Sequence, residues 1–397
     1  MSKTHAVQSF RPDFVAVARS LRPLLAEHAA QAERDRRVPD VVIDAIDAAG
    51  LFQMVKPLRS GGGGCTQIEM LEVLAELAKG CMSTAWVVGL LCGVTGLAGC
   101  MAPAIRDAIF LNGDERVFGV TSPTGVATRV AGGYTVTGSW GYASGCLHAD
   151  WAVLAVRLAD AGDGPESVAF AFLPVSAPGV TIKDTWHVAG VAGSGSNTVM
   201  LNETFIPEHM VVNPALRNAW LTEAMMEPRD RWVDEVSVPL GVIGPSIGAV
   251  EAMLEIVTTG INKKTVTHWK YPVQSDSQVL LEQLGLARME VESAWLHLGR
   301  AAATSDVIAQ QRPVTGDEKA QGQADCGYAT QLIRSAADRL LNIAGSSAFA
   351  TANPLQRFWR DLSVGTRHAF INAHASLELY GRISAGKPSN NIQFDYQ

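Results

Sequence analysis

Residues 132–151 read GGYTVTGSWGYASGCLHADW. Gly132-Gly133 is a turn signal, and residues 134–137 alternate aromatic and β-branched side chains as a strand does. Trp140 then stands four residues before Ser144, a small hydroxyl flanked by Ala143 and Gly145. Asp150 and Trp151 lead into the apolar run 152–156, a second strand. An aromatic plane beside a hydroxyl and exposed backbone, on a tight turn between strands, suits a flat heteroaromatic ligand. A β-hairpin with a core tryptophan uses the same residues, because aromatics are common in strands.

Outward from this stretch, composition sets the limits. The chain has 397 residues, 47% hydrophobic and 18% charged, enough for a large core and for two or three domains. A net charge of −7 argues against a nucleic-acid backbone as partner. Six cysteines (Cys65, Cys81, Cys92, Cys100, Cys146, Cys326) and nine histidines show no metal-ligand spacing, so no metal is expected. The cysteines read as reduced thiols of a cytoplasmic protein. Residues 1–6 lack an apolar signal region. Residues 90–101 are apolar but short and interrupted by Gly93, Gly96 and Gly99, a buried helix and not a membrane span.

Two helical patterns fill residues 10–50, with Pro39 in the first turn of the second and Gly50 at its end. Residues 57–65 form a loop holding four consecutive glycines, without the spacing of a phosphate-binding fingerprint. Thr66-Gln-Ile-Glu69 is a capping box that opens a helix ending near Gly80. Ser83 begins a helix apolar on all sides, hence central. Residues 117–214 switch to short strands (118–120, 134–137, 151–156, 168–173, 198–201) separated by Gly and Pro. Four long helical segments follow, 238–264, 276–309, 317–343 and 354–385, in the manner of an antiparallel bundle.

The Trp140-x-x-x-Ser144-Gly145 stretch resembles the flavin-binding segment of the acyl-CoA dehydrogenase fold. It is most similar to the two-component flavin-dependent monooxygenases, the group of the oxygenase components of p-hydroxyphenylacetate and steroid-ring hydroxylases. Further matches run along nearly the whole chain. Val120-Thr121-Ser122-Pro123 falls where acyl-CoA dehydrogenases carry Thr-Glu-Pro against the flavin pyrimidine ring. Residues 186–197 resemble the family's Gly-rich turn that includes Ser196, with Ala192 where the family has Arg. Gly345-Ser346 precedes Pro354-x-x-Arg357-x-x-Arg360-Asp361, like the family's loop that approaches a cofactor tail in a neighbouring subunit. The implied fold is α+β, mainly α: an N-terminal α-helical domain (1–116), a central β-barrel-like domain (117–235) and a C-terminal four-helix bundle (236–397).

The resemblance also implies roles. Trp140 packs near the isoalloxazine and Ser144 bonds flavin N5, with Thr121, Ser122, Ser196, Gly345 and Ser346 as further cofactor contacts. His368, read as lying on the last bundle helix, is the catalytic candidate. It would stabilise a flavin C4a-hydroperoxide or take a phenolic proton, since imidazole titrates near working pH. The helix from Ser83 would line the substrate pocket through Trp86, Cys92 and Thr95, and the missing pocket histidine speaks against a small carboxylated phenol. His148 is a lesser candidate, at an exposed position. The implied reaction uses reduced FMN or FAD and O2 to hydroxylate an aromatic (phenolic, polyketide or indole-type) molecule. No dinucleotide fingerprint is visible, so a separate NAD(P)H-dependent flavin reductase is the expected partner. A homotetramer is expected, with neither nucleic acid nor membrane as partner. The alternatives are an acyl-CoA dehydrogenase, for which Glu251, Glu255 and Glu378 are the candidate bases, an N- or S-oxygenating relative, and a non-catalytic binding protein on this fold.

Overall fold

The computed structural model describes residues 12–162, 164, 167–213 and 218–391. Residues 1–6, read above for a signal, and Pro214 lie outside them. Helix α1 (Phe14–Asp35) opens where the Asp13 carboxylate accepts the Ala16 N–H, and α2 (Asp40–Ala48) follows Pro39. Helix α3 (Gln67–Gly80) begins on the capping box legible in the sequence, with Thr66 and Glu69 satisfying each other's backbone N–H groups. Helix α4 (Met82–Gly99) is buried on most sides, and α5 (Pro103–Ile109) leads to the sheet.

Strands β1 (Val117–Val130), β2 (Gly133–Trp140), β3 (Trp151–Leu158), β4 (Val168–Pro174), β5 (Val180–Lys183), β6 (Thr198–Pro207) and β7 (Val211–Val212) form one mixed sheet in the order β5-β6-β2-β1-β3-β4-β7. β1 is antiparallel to β2 and parallel to β3. Residues 141–150 are therefore no tight hairpin turn. They cross from one side of β1 to the other. The register of β1 against β3 slips between Val120 and Gly125, and this bulge carries Thr121 and Ser122.

Trp140 is corrected from cofactor contact to core. It is fully buried, and its indole N–H donates to the Ala155 carbonyl at 2.8 Å. The ring occupies a slot that exists because Gly125 and Gly138 have no side chains. A Cβ at Gly125 would lie 2.1 Å from the indole, and one at Gly138 2.6 Å away.

The C-terminal part contains α6 (Asp234–Gly260), α7 (Gln278–Ala303), a π turn (Thr304–Ile308) into the short α8 (Ala309–Gln311), α9 (Gly316–Ala344), α10 (Pro354–Gly365) and α11 (Ala373–Ser384). The single segment read at 354–385 is two helices. Side chains compete for the backbone at the break: Thr366 Oγ1 donates to the Leu362 carbonyl at 2.6 Å, and Asn372 accepts the Ala375 N–H at 3.1 Å. His368 lies in this break and not on a helix, heading the turn Ala369–Ile371.

Two apolar cores result. One joins the N-terminal helices to the sheet; the other fills the bundle. Helix α4 serves both, with Val87 and Leu91 in the first and Met82 and Trp86 in the second. By length and composition α4 and α6 could each cross a membrane, but 78% and 72% of their apolar windows are buried in this fold, which accounts for their hydropathy. All six cysteines are buried, and none forms a disulfide among the described residues.

Two glycine substitutions separate packing from propensity. Gly125→Ala drives a methyl into Trp140 and is expected to cost about 1–3 kcal/mol, as overpacking does. Gly285→Ala, mid-helix with open space around it, should leave stability unchanged or raise it by up to about 1 kcal/mol. Urea unfolding midpoints of the two variants test this; equal midpoints would remove Trp140 from its slot.

Candidate active site

Three segments converge: helix α4, the 141–150 connection, and the break after α10. Ser144, on the connection, is buried and accepts the Trp86 indole N–H at 3.3 Å. Its hydroxyl lies 2.6 Å from that of Ser196, which lies 2.8 Å from that of Ser194. The Trp86 ring packs against His368, with centroids 5.7 Å apart and planes tilted by 60°. Gly365 allows this approach, since a Cβ there would lie 3.1 Å from the Trp86 ring and 2.7 Å from Met82. Trp86 thus joins the serine chain to the histidine.

His368 is fixed in one tautomer. Its Nδ1 accepts the Phe370 N–H at 3.3 Å, so the proton of the neutral ring sits on Nε2. Burial pushes its pKa down to about 4. At neutral pH it is an uncharged donor through Nε2.

Sequence reasoning chose the wrong positions on α4 for the pocket wall. Cys92 is fully buried, its thiol donating to the Gly89 carbonyl at 3.4 Å. Thr95 is fully buried too and accepts the Val117 N–H at 3.0 Å, which anchors the start of β1. The partly open stripe is instead Leu90, Gly93, Val94 and Leu97, running on from Trp86 at helical spacing. A Cβ added at Gly93 would meet nothing within 4 Å.

Thr121 and Ser122 are exposed on the β1 bulge. Thr124 Oγ1 donates to the Ser139 carbonyl at 2.7 Å, which holds the bulge beside the start of the connection. Gly345 and Ser346 are exposed in the loop before α10, Gly345 at φ 71°. Sequence reasoning passed over Tyr142. It is 77% exposed, adopts φ 58°, and stands edge-on to Trp186 at 5.5 Å. An exposed aromatic in the left-handed region two residues before Ser144 was the available signal.

The serine chain is tied to the bundle. Asp361 accepts the Val191 N–H at 2.6 Å, and Arg360 donates to the Ala189 carbonyl at 2.7 Å. Ala192 is buried, and a Cβ at the next residue, Gly193, would lie 3.0 Å from both Ala32 and Ser83, so this turn has little room for a long cationic side chain. His148 is buried rather than exposed. Its Nε2 has no partner, and burial, with Arg37 adding to it, pushes its pKa down to about 4.

Residues 15–103 match the acyl-CoA dehydrogenase N-terminal domain, and residues 240–373 match the acyl-CoA dehydrogenase C-terminal domain. The structure superposes on that of XiaF from Streptomyces sp. in complex with FADH2 and glycerol. The TM-score is 0.90 and the identity 32%, over 96% of this chain and 97% of that one. The chain belongs to the acyl-CoA dehydrogenase-fold flavin-dependent monooxygenases. Among curated relatives, the oxygenase subunit HsaA of a flavin-dependent monooxygenase of Rhodococcus jostii is 29% identical, over 93% of this chain and 97% of its own. The oxygenase component of an FADH2-dependent resorcinol hydroxylase from Rhizobium sp. is also 29% identical, over 91% of each chain.

As a flavin-dependent monooxygenase, an oxidoreductase, the chain needs no acyl α-proton base, and its candidate carboxylates are engaged elsewhere. Glu251 accepts the Trp295 N–H and pairs with Lys79, Glu255 pairs with Arg22, and Glu378 pairs with Arg382. Ser144, Ser194, Ser196, Trp86 and His368 form instead an uncharged polar lining at neutral pH. That lining suits the uncharged polar edge of a flavin ring, and Tyr142 offers an aromatic face beside it.

Two histidines of this monooxygenase, the buried His148 and the half-buried His368, predict a direction in pH. Folding lowers both pKa values from 6.5 to about 4. Between those limits the unfolded chain binds more protons at both histidines, so their contribution to stability rises with pH from about 4 to 6.5; Asp361, its carboxyl raised by burial to about 7, opposes it with one site against two. Thermal melts across pH 4–7 should show this slope, and His148→Gln should flatten it. An unchanged slope would mean that His148 titrates alike in both states.

Proposed function

We propose that this chain is the oxygenase component of a two-component system that hydroxylates an aromatic small molecule. It would take reduced FMN or FAD from a separate NAD(P)H-dependent reductase, with O2 as co-substrate. The observation that carries this reading is the joining of Ser144 to His368 through Trp86. Reduced flavin, when bound, supplies the electrophilic oxygen after reaction with O2. Everything else falls to the chain.

Ser144 can present either polarity. A hydroxyl has one donor and two acceptor sites. One acceptor site is taken by Trp86. If Ser196 donates to Ser144, the Ser144 proton is free to point outward. If Ser144 donates to Ser196, a lone pair is left to accept. Rotation of the three linked hydroxyls switches between these states without moving a heavy atom. Flavin N5 is an acceptor when oxidised and carries a hydrogen when reduced, so a switchable hydroxyl can hold it in both forms. Thr121 and Ser122 on the bulge would meet the pyrimidine end, and Ser196 supports Ser144. Gly345 and Ser346 would meet the cofactor tail of a neighbouring copy in a homotetramer.

His368 packs against the ring of Trp86, whose N–H bonds Ser144. As a neutral imidazole it would offer its Nε2–H as a hydrogen-bond donor to what binds in the site. Its low pKa makes it a weak proton acceptor, so positioning and donation are favoured over substrate deprotonation. The apolar stripe of α4 excludes water and faces the aromatic substrate.

Two variants test the assignment in a reductase-coupled assay with NADH, flavin and ¹⁸O-labelled O2. The purified chain alone should not oxidise NADH, and the coupled system should put one labelled oxygen into the product. Ser144→Ala should raise hydrogen peroxide released per NADH consumed. His368→Ala should lower product by roughly 10²–10³-fold, the range for losing one placed hydrogen-bond donor. Loss below about threefold with coupling intact would make His368 a packing residue. Oxidation of an acyl-CoA by an artificial acceptor, without labelled product, would favour the dehydrogenase reading.

A further inference from the structure

Among the described residues, Arg229 is a strongly buried cation without a counterpart. It is 9% exposed, in the turn Pro228–Arg231 before α6. Among the described residues no hydrogen bond or ion pair reaches its guanidinium, and its covered Nε has no partner. The ring of Trp232 lies 4.5 Å from it and offers only a cation–π contact. The carboxylates nearest in sequence are engaged. Asp230 takes both ends of the Arg59 guanidinium, at 2.5 and 2.7 Å, and Glu227 accepts the Leu58 and Arg59 N–H groups. The adjacent thiols bring no charge, because burial raises Cys92 to about 12 and Cys100 to about 11. An arginine cannot neutralise itself by losing a proton. Fixed, buried and unpaired, it calls for an anion from outside.

Its position says where that anion would sit. The Arg229 Nε lies 3.3 Å from where a Gly96 Cβ would be. Gly96 is one turn along α4 from Gly93, whose missing side chain opens onto free space. Gly93 is in turn two turns from Trp86. We propose that Arg229 anchors a carboxylate on the aromatic substrate, held beside Gly93 and Gly96. This rests on the monooxygenase reading above. The planar guanidinium matches a carboxylate through paired N–H···O bonds. From Trp86 to Gly93 and Gly96 is seven to ten helical residues, roughly 10–15 Å, so a carboxylate at Arg229 would lie a fused ring system or more from the Trp86 end of the site. A single-ring acid is too short, while a hydroxylated polycyclic acid spans the gap.

The test uses 6-hydroxy-2-naphthoate, whose carboxylate and hydroxyl are at opposite ends, and its neutral methyl ester. Calorimetric titration of the full chain should show the acid binding at least tenfold more tightly than the ester. Arg229→Met should reduce that preference below threefold while changing ester affinity less than twofold. Arg229→Lys keeps the charge but loses the planar pairing, and should fall between; it decides the matter if the Met variant does not fold by circular dichroism. Equal binding of acid and ester, or no binding of either, overturns the subsite, as does an acid preference that survives in both variants. The same protein in the ¹⁸O assay separates the two claims. Acid preference without oxygen incorporation into any aromatic leaves the subsite standing and sinks the monooxygenase; incorporation without acid preference does the reverse.

Discussion

The hydrogen bond from the Val191 N–H to the buried carboxyl of Asp361, 2.6 Å long, fixes the two halves of the site to each other. On one side of it the chain runs from Val191 through Ser194 to Ser196. On the other, α10 runs from Asp361 to the break that holds His368. Val191 is β-branched yet adopts φ 55°, a conformation that costs of order 1–3 kcal/mol and persists only when neighbours enforce it. They do: a Cβ at Gly190 would lie 2.1 Å from the Arg360 carbonyl oxygen, and Arg360 itself holds Ala189. Burial raises the Asp361 pKa to about 7, with the Val191 N–H, Arg357 and Arg360 opposing. The bond tolerates either state, because Oδ1 accepts in both.

That constraint explains why the site can work without a charged residue at its centre. A carboxylate base would have to be desolvated beside a flavin, at high cost. The centre instead uses hydroxyls, an indole N–H and a neutral imidazole. The indole N–H is taken up by Ser144, while the Ser144 hydroxyl and the imidazole each keep a bond to offer. The two nearby charges are kept apart from it: Asp361 is closed off behind the Val191 loop, and Arg229 sits further along α4.

Much of this was legible in the sequence because it depends on local rules. The Thr66 capping box, the central helix α4 and the change from helical to alternating patterning at Val117 each follow from residues close in the chain. Ser144 and His368 came from resemblance, and the structure joins both to Trp86. What failed depended on contacts distant in sequence. Trp140 looked like a ligand platform because nothing near it in sequence reveals the slot made by Gly125. Cys92 and Thr95 were chosen for their place on a helix whose composition is apolar all round, so no periodicity could say which face opens. The break at 366–372 hid within a helical pattern, since its cause is hydrogen bonding by Thr366 and Asn372. Arg229 left no signal, because being unpaired is a property of the fold alone.

Helix α4 carries the final step of the synthesis. Its glycines do two opposite things. Gly89, Gly96 and Gly99 let other segments press in, with the Gly241 carbonyl, Val55 and Lys56 where side chains would be. A Cβ at Gly93, on the same helix, would meet nothing within 4 Å. Small residues chosen only for packing would all be filled against. Gly93 is left open between an indole bonded to Ser144 and an unpaired guanidinium, which is where the proposed substrate would lie. The helix therefore sets both the tightness of the core and the length of what can bind beside it.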